Sequence, residues 1–260
     1  MYNFKLLSDN GIHLNITTDC TQHLNLTTKG ILIHIHGFRK DVSSNTNFEQ
    51  RVNFFNELNI ISYGLDLRGH GKSDGEIHLI KKYDDYINDL HVLVKYIKNK
   101  HVNVPIYILS ESMGGAIAII YTIKYKNIIN GVILLGLMLR PVATASNLYI
   151  YSIISLSYIL PSLKIIKVAN HDPISLSSGR ELYYMMKYIE SNTDKFTSNV
   201  LAIHSKTDST TCYKSTIKFI NTCNSFNKKI ILLENEDHLF IDTNKDAMNS
   251  IYNWLKFHIK

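Results

Sequence analysis

Cysteine is scarce: three residues, Cys20, Cys212 and Cys223, in a chain of 260. The number is odd and no two form a CxxC pair, so neither a disulfide framework nor a zinc site is readable and a reducing compartment is expected. No apolar run reaches about 18 residues, so no membrane span is expected. The nearest candidate, Leu148 to Leu160, is shorter, is interrupted by serines and fits a buried or interfacial helix. The opening residues, MYNFKLLSDNG, lack a basic start followed by an apolar stretch, so no secretion signal is expected. No dense run of Lys or Arg occurs, which argues against nucleic acid as a partner. The formal net charge of +6 suits a mild attraction to acidic surfaces such as lipid headgroups, or simply reflects solvated lysines. Repeats, low-complexity tracts and flexible linkers are missing too. Two Asn-x-Thr triplets, at Asn15 and Asn25, read as chance matches in a chain expected to stay in the cytoplasm.

What is present is an apolar fraction of 45%, enough for one sizeable α/β core. Short apolar runs alternate with longer amphipathic ones. Strands are expected at Phe4–Leu7, His13–Thr17, Ile31–His36, Ile60–Asp66, Ile106–Leu109, Val132–Leu137, Val200–His204 and Ile230–Leu233. Helices are expected at Phe48–Leu58, Tyr83–Lys98, Met113–Lys126, Tyr213–Ile220 and Ala247–His258. This alternation predicts a mostly parallel sheet of about eight strands with helices on both faces. Asn10-Gly11 between the first two strands is a hairpin signal, so the sheet is expected to begin antiparallel. From about residue 140 to 197 the alternation stops. That stretch carries helix-like apolar sequence punctuated by Pro141, Pro161 and Pro173, with no convincing strand. It reads as a helical insertion above the sheet within a single 260-residue domain.

The chemistry concentrates at Ser110-Glu111-Ser112-Met113-Gly114. A strand, a sharp turn and a helix meet at Ser112, the arrangement of a nucleophile elbow. Small residues are needed two positions either side of the nucleophile: Gly114 meets one demand, and Ser110 stands where glycine is usual. Read alone, Ser112 is either a helix cap or a nucleophile. A serine nucleophile needs a base, and the base an orienting acid. Asp208 follows the strand Val200–His204, and His238 follows the strand Ile230–Leu233. Both therefore lie at carboxyl ends of strands, where open α/β sheets bind ligands. Taken singly, Asp208 reads equally as a turn or capping residue and His238 as a surface-loop histidine. Asp237 is a poor orienting acid, because sequence neighbours usually point apart. Gly37, after the strand Ile31–His36, allows close backbone approach, and the N–H groups of Phe38 and Met113 are the expected oxyanion donors. His34 and His36 have no evident third ligand, so no metal is expected. Gly71-Lys72-Ser73 is not a phosphate loop: that motif requires glycine where Asp66 stands.

Together, His36-Gly37, the run Gly69-His70-Gly71-Lys72-Ser73-Asp74-Gly75, the elbow Glu111-Ser112-Met113-Gly114-Gly115, Asp208 and His238 resemble the α/β-hydrolase superfamily. Within it the chain is most similar to the monoacylglycerol lipase and lysophospholipase group. Asn170-His171-Asp172-Pro173 resembles an Asn-x-Asp-Pro stretch of that group's cap. The resemblance implies an α/β-hydrolase fold, ester hydrolysis of single-chain lipids by a Ser112–Asp208–His238 triad, no cofactor, and a cap that admits the acyl chain. Leu148, Tyr149, Tyr151, Ile153, Ile154 and Leu156 are the expected lining of an acyl tunnel or a membrane-resting face; the plainer alternative is that they pack the cap onto the body. Peripheral membrane contact through the cap is expected, and no pattern specifies an oligomer. A carboxylesterase, thioesterase or peptidase on smaller substrates, or a silent binding protein on the same fold, are the alternatives. An aspartate-nucleophile hydrolase is disfavoured by serine at the elbow.

Overall fold

The structure is a computed structural model that describes residues 1–20, 28–45, 47–141, 146–168 and 171–259. In chain order it runs β1 (Tyr2–Leu7), β2 (His13–Thr18), β3 (Gly30–Ile35), α1 (Phe48–Asn56), β4 (Ile60–Leu65), α2 (Tyr83–Lys100), β5 (Ile106–Glu111), α3 (Met113–Lys124) and β6 (Gly131–Leu135). It continues through α4 (Asn147–Ser157), β7 (Lys164–Val168), β8 (His171–Ser175), α5 (Leu176–Asn192), β9 (Asn199–Ser205), α6 (Tyr213–Thr222), β10 (Lys228–Leu233) and α7 (Lys245–His258). Eight strands form one sheet in the order β1-β2-β4-β3-β5-β6-β9-β10. The β1–β2 and β2–β4 pairings are antiparallel and the rest parallel, as the early hairpin and the later alternation predict.

Side-chain alternation along the central strands builds two cores, because successive residues of a strand face opposite sides. Ile31, Ile33, Ile108, Val132, Leu134 and Val200 face α2, α3 and α5. Leu32, Tyr107, Leu109, Ile133, Leu201 and Ile203 face α1 and α7. Helix α3 is buried from Met113 to Ile123, with only its last residue, Lys124, exposed, which fixes the strand–turn–helix unit carrying Ser112 at the centre of the molecule.

Three expectations are revised. The stretch between β6 and β9 was expected to lack strands, yet it contains the antiparallel ribbon β7–β8. The segments are five residues each, one contains Pro173, and the pairing is broken by register shifts, so the period-two signal is too short to read. The sixth strand stops at Leu135 and not at Leu137, because Gly136 takes a left-handed φ of +53°. Helix α5 is less a part of the cap than of the body: Met185 and Ile189 are buried in the core shared with α3. Among the Asn-x-Thr sites, Asn15 is buried and its amide donates to Asp66 at 3.0 Å, while Asn25 lies outside the described residues.

Candidate active site

Ser112 stands between β5 and α3 with φ +53° and ψ −116°, a strained conformation for a residue with a Cβ. It makes no capping hydrogen bond to the helix. Strain without a cap is the signature of an elbow and removes the helix-cap reading. Small residues are needed after Ser112 because the backbone at the end of the neighbouring strand β3 is close: a Cβ on Gly114 would lie 2.5 Å from the Ile35 carbonyl oxygen. Ser110 fits where glycine is usual. It is fully buried, its hydroxyl donates to the Ile133 carbonyl at 2.9 Å, and Gly115, one turn into α3, leaves it room.

Asp208 and His238, thirty residues apart in sequence, are joined: Nδ1 of His238 lies 2.6 Å from Oδ2 of Asp208. The aspartate is buried and held by the N–H groups of Thr210 and Thr211, the Thr211 hydroxyl and His204. Burial alone would raise its pKa, but hydrogen bonds from His204 and His238, the nearby His238 charge and the Thr211 N–H hold it well below the usual carboxylate range. Asp208 is thus an anion at neutral pH, its Oδ2 facing the imidazole. Asp237, as expected, is not the partner.

Ser112 and His238 both lie against the end of β6. The Ser112 N–H donates to the Leu135 carbonyl at 2.9 Å. The His238 ring lies 3.1 Å from where a Cβ on the next residue, Gly136, would stand. No hydrogen bond joins the Ser112 hydroxyl to His238 among the described residues; catalytic hydrogen bonds in free enzymes are often long and tighten only with substrate bound. Gly136→Ala is expected to push the imidazole aside and lower kcat about a hundredfold, since a misplacement of 1 Å costs that much. The check is steady-state kinetics beside a circular dichroism spectrum showing that the variant folds.

The early loop sits opposite. A Cβ on Gly37 would fall 3.1 Å from Cβ of Ser112, so the backbone at Gly37 runs directly over Ser112. Neither the Phe38 nor the Met113 N–H donates a hydrogen bond among the described residues. His36 braces this loop: its Nε2 accepts from the Leu67 N–H at 3.0 Å, which places the proton on Nδ1, donated to the Gly37 carbonyl at 2.7 Å. Burial lowers the His36 pKa and keeps the ring neutral in that tautomer. The glycine-rich turn is organised by Asp66, the residue that excludes a phosphate loop. Its carboxylate accepts from the N–H groups of Val42, Ser43 and Lys72, and a Cβ on Gly71 would strike it at 2.5 Å.

Sequence reasoning missed Arg51. From α1 it bonds Glu111 beside Ser112 at 2.5 Å and, in a two-pronged contact, Asp242, four residues after His238. Arg51 is buried and Glu111 half-buried, while Asp242 reaches the surface. Burial would lower the Arg51 pKa, but Glu111 and Asp242 more than reverse this and hold it charged. Arg51→Met strands two carboxylates and is expected to cost about 3–5 kcal/mol of stability, read as a fall in the urea midpoint.

The six apolar residues expected in the cap divide by position. Leu148, Tyr149 and Tyr151 on α4 are exposed, while Ile153, Ile154 and Leu156 are half-buried. Asn170 lies outside the described residues. The carbonyls of Asp172 and Pro173 accept the Arg39 guanidinium at 2.6 and 2.8 Å, tying the cap ribbon to the residue next to Phe38.

This sheet order, the strained elbow and the carboxylate–imidazole pair at neighbouring strand ends define an α/β-hydrolase, an enzyme of the serine-hydrolase class. The model of the family described as "Serine aminopeptidase, S33" matches residues 27–170, more than half of the chain, and the chain belongs to that family. It is similar to monoacylglycerol lipases. A monoacylglycerol lipase of Mycolicibacterium smegmatis is 29% identical over 108 residues, which are 42% of this chain and 38% of that protein. The monoglyceride lipase of Rattus norvegicus is 21% identical over 246 residues, covering 86% of this chain and 80% of that one. In three dimensions a soluble variant of the Saccharomyces cerevisiae monoglyceride lipase, solved with a substrate analogue, superposes with a TM-score of 0.80 at 20% identity, over 99% of this chain and 95% of that chain.

Proposed function

We propose that the chain hydrolyses carboxylic esters of single-chain lipids, monoacylglycerols or lysophospholipids, through an acyl-enzyme. Ser112 attacks the ester carbonyl while His238 takes its proton. Asp208 fixes the imidazole with its proton on Nδ1, which leaves Nε2 free to act as the base. The Phe38 and Met113 N–H groups receive the oxyanion of the tetrahedral intermediate. Collapse expels the alcohol, protonated by His238. Water, activated by the same imidazole, then attacks the acyl-enzyme and releases the fatty acid. The carrying observation is the 2.6 Å Asp208–His238 pair set against Gly136, beside the strained Ser112.

The lipid part of the reading draws on the relatives' names and on the cap. Helix α4 carries no charged residue, and Leu148, Tyr149 and Tyr151 stand in solvent with Tyr158 and Ile159 just beyond it. An exposed apolar face of this kind suits either an acyl chain or a membrane surface. Among the described residues no helix is long and apolar enough to cross a membrane. The proposed location is cytoplasmic, in keeping with the scarcity of cysteine, with peripheral membrane contact through α4. Leu148→Asp combined with Tyr151→Asp is expected to reduce co-sedimentation with anionic vesicles severalfold; unchanged binding argues against that contact.

The substrate test is a series of glycerol monoesters of rising acyl length beside a soluble butyrate ester. The expected kcat/KM climbs with chain length. A maximum at the shortest acyl group would favour a small-ester carboxylesterase.

A further inference from the structure

A cleft of about 460 Å³ opens between the glycine-rich turn and the cap, lined among others by Glu76, His78, Ser162, Lys164 and Ser175. It adjoins the early loop: the His78 ring is 6.1 Å from that of Phe38, and Gly37 before it runs over Ser112. Its position and size fit the leaving-alcohol part of a substrate whose acyl carbonyl lies at Ser112.

The cleft is not built for a neutral alcohol. The Lys164 ammonium, at the start of β7, is exposed and makes no ion pair among the described residues. Glu76, the one carboxylate among the described residues that line the cleft, is paired with Lys81 at 3.3 Å. Arg39, on the Phe38 side, spends its hydrogen bonds on backbone carbonyls, which leave its charge uncancelled. Two positive charges thus stand beside a cleft that carries the exposed Ser162, between the Phe38 loop and the cap; Ser175 is buried and caps α5, its hydroxyl accepting from the Ser178 N–H and donating to the Ser178 hydroxyl.

We infer that this cleft is a headgroup site for an anionic, phosphate-bearing glycerol, with Lys164 as the residue that selects it over a neutral glycerol. The inference rests on the ester-hydrolase reading and narrows it to anionic lysophospholipids. A phosphodiester in the cleft brings acceptor oxygens and a negative charge to Lys164 and to the exposed Ser162. Charge-assisted hydrogen bonds are roughly twice as strong as the neutral ones a glycerol hydroxyl would make. Burial, together with the charges of Arg39 and Lys164, lowers the His78 pKa, which places both cations near this ring.

The experiment compares lysophosphatidylglycerol, zwitterionic lysophosphatidylcholine and monoacylglycerol with one acyl chain, all below their aggregation concentrations at low salt. The wild-type enzyme is expected to favour lysophosphatidylglycerol over monoacylglycerol by about tenfold in kcat/KM, mostly through KM. Lys164→Glu should erase that ratio, Lys164→Arg should keep it, and added salt should shrink it. Lysophosphatidylcholine is expected to fall between the other two. Equal or better turnover of monoacylglycerol overturns the inference and leaves the ester-hydrolase reading standing. So does a preference for lysophosphatidylglycerol that Lys164→Glu does not alter. No turnover of any of the three overturns both.

Discussion

Ser112→Ala is expected to lower turnover of any ester by about a millionfold, the loss seen when the nucleophile of a serine hydrolase is removed. The argument is geometric. The elbow presents one hydroxyl, at a residue held at φ +53°, and no neighbouring side chain of β5 or α3 can replace it: Ser110 points back into the sheet and bonds the Ile133 carbonyl. Since the Ser112 hydroxyl makes no hydrogen bond among the described residues, its removal should leave the melting temperature nearly unchanged. Ser112→Gly separates strain from chemistry further. It should be equally inactive yet more stable, because glycine accepts a left-handed φ that costs other residues about 1–3 kcal/mol. Kinetics and thermal melts on the two variants together give the check. Residual activity within a hundredfold of wild type in Ser112→Ala would place the nucleophile elsewhere.

The second large effect belongs to Asp208→Asn, expected to lower kcat about ten-thousandfold by favouring the wrong imidazole tautomer. An amide nitrogen turned toward His238 would donate to Nδ1 and drive the proton to Nε2, where it blocks the base. Stability should change as well, with a definite sign. Folding lowers the Asp208 pKa, so the stability it contributes is complete above the unfolded carboxylate range near pH 4. That contribution is lost as pH falls toward the folded value, between about pH 5 and 1. Wild type should therefore lose stability faster than Asp208→Asn over that acid range, and the two urea-denaturation curves should converge as pH drops. A parallel decline would mean that Asp208 is not selectively stabilised as an anion.

The parts of the site that sequence exposed share one property. Ser112, Asp208 and His238 each follow a strand readable on its own, so a polar residue at each strand end could be placed without knowing any long-range contact. The loop proposed to receive the oxyanion could be placed for the same reason, through His36-Gly37 at the end of β3. Arg51 was not, because its meaning lies in partners 60 and 191 residues away, and on α1 it reads as an ordinary charged helix residue. The β7–β8 ribbon was hidden by its length, by Pro173 and by irregular pairing. Ser110 was a departure on paper because the space it needs is supplied from outside its own strand, by Gly115 on α3. Strand identity thus came from local periodicity. The reach of buried charges and the fit of side chains across elements required the assembled fold.

The central claim is that Ser112 is a nucleophile activated at the end of a rigid parallel sheet. Reaction with a fluorophosphonate, followed by peptide mass mapping, tests it most directly. The expected result is a single adduct on Ser112, formed rapidly in wild type and strongly slowed in His238→Ala. A folded wild-type protein that stays unlabelled, or carries its adduct on another residue, would contradict the account.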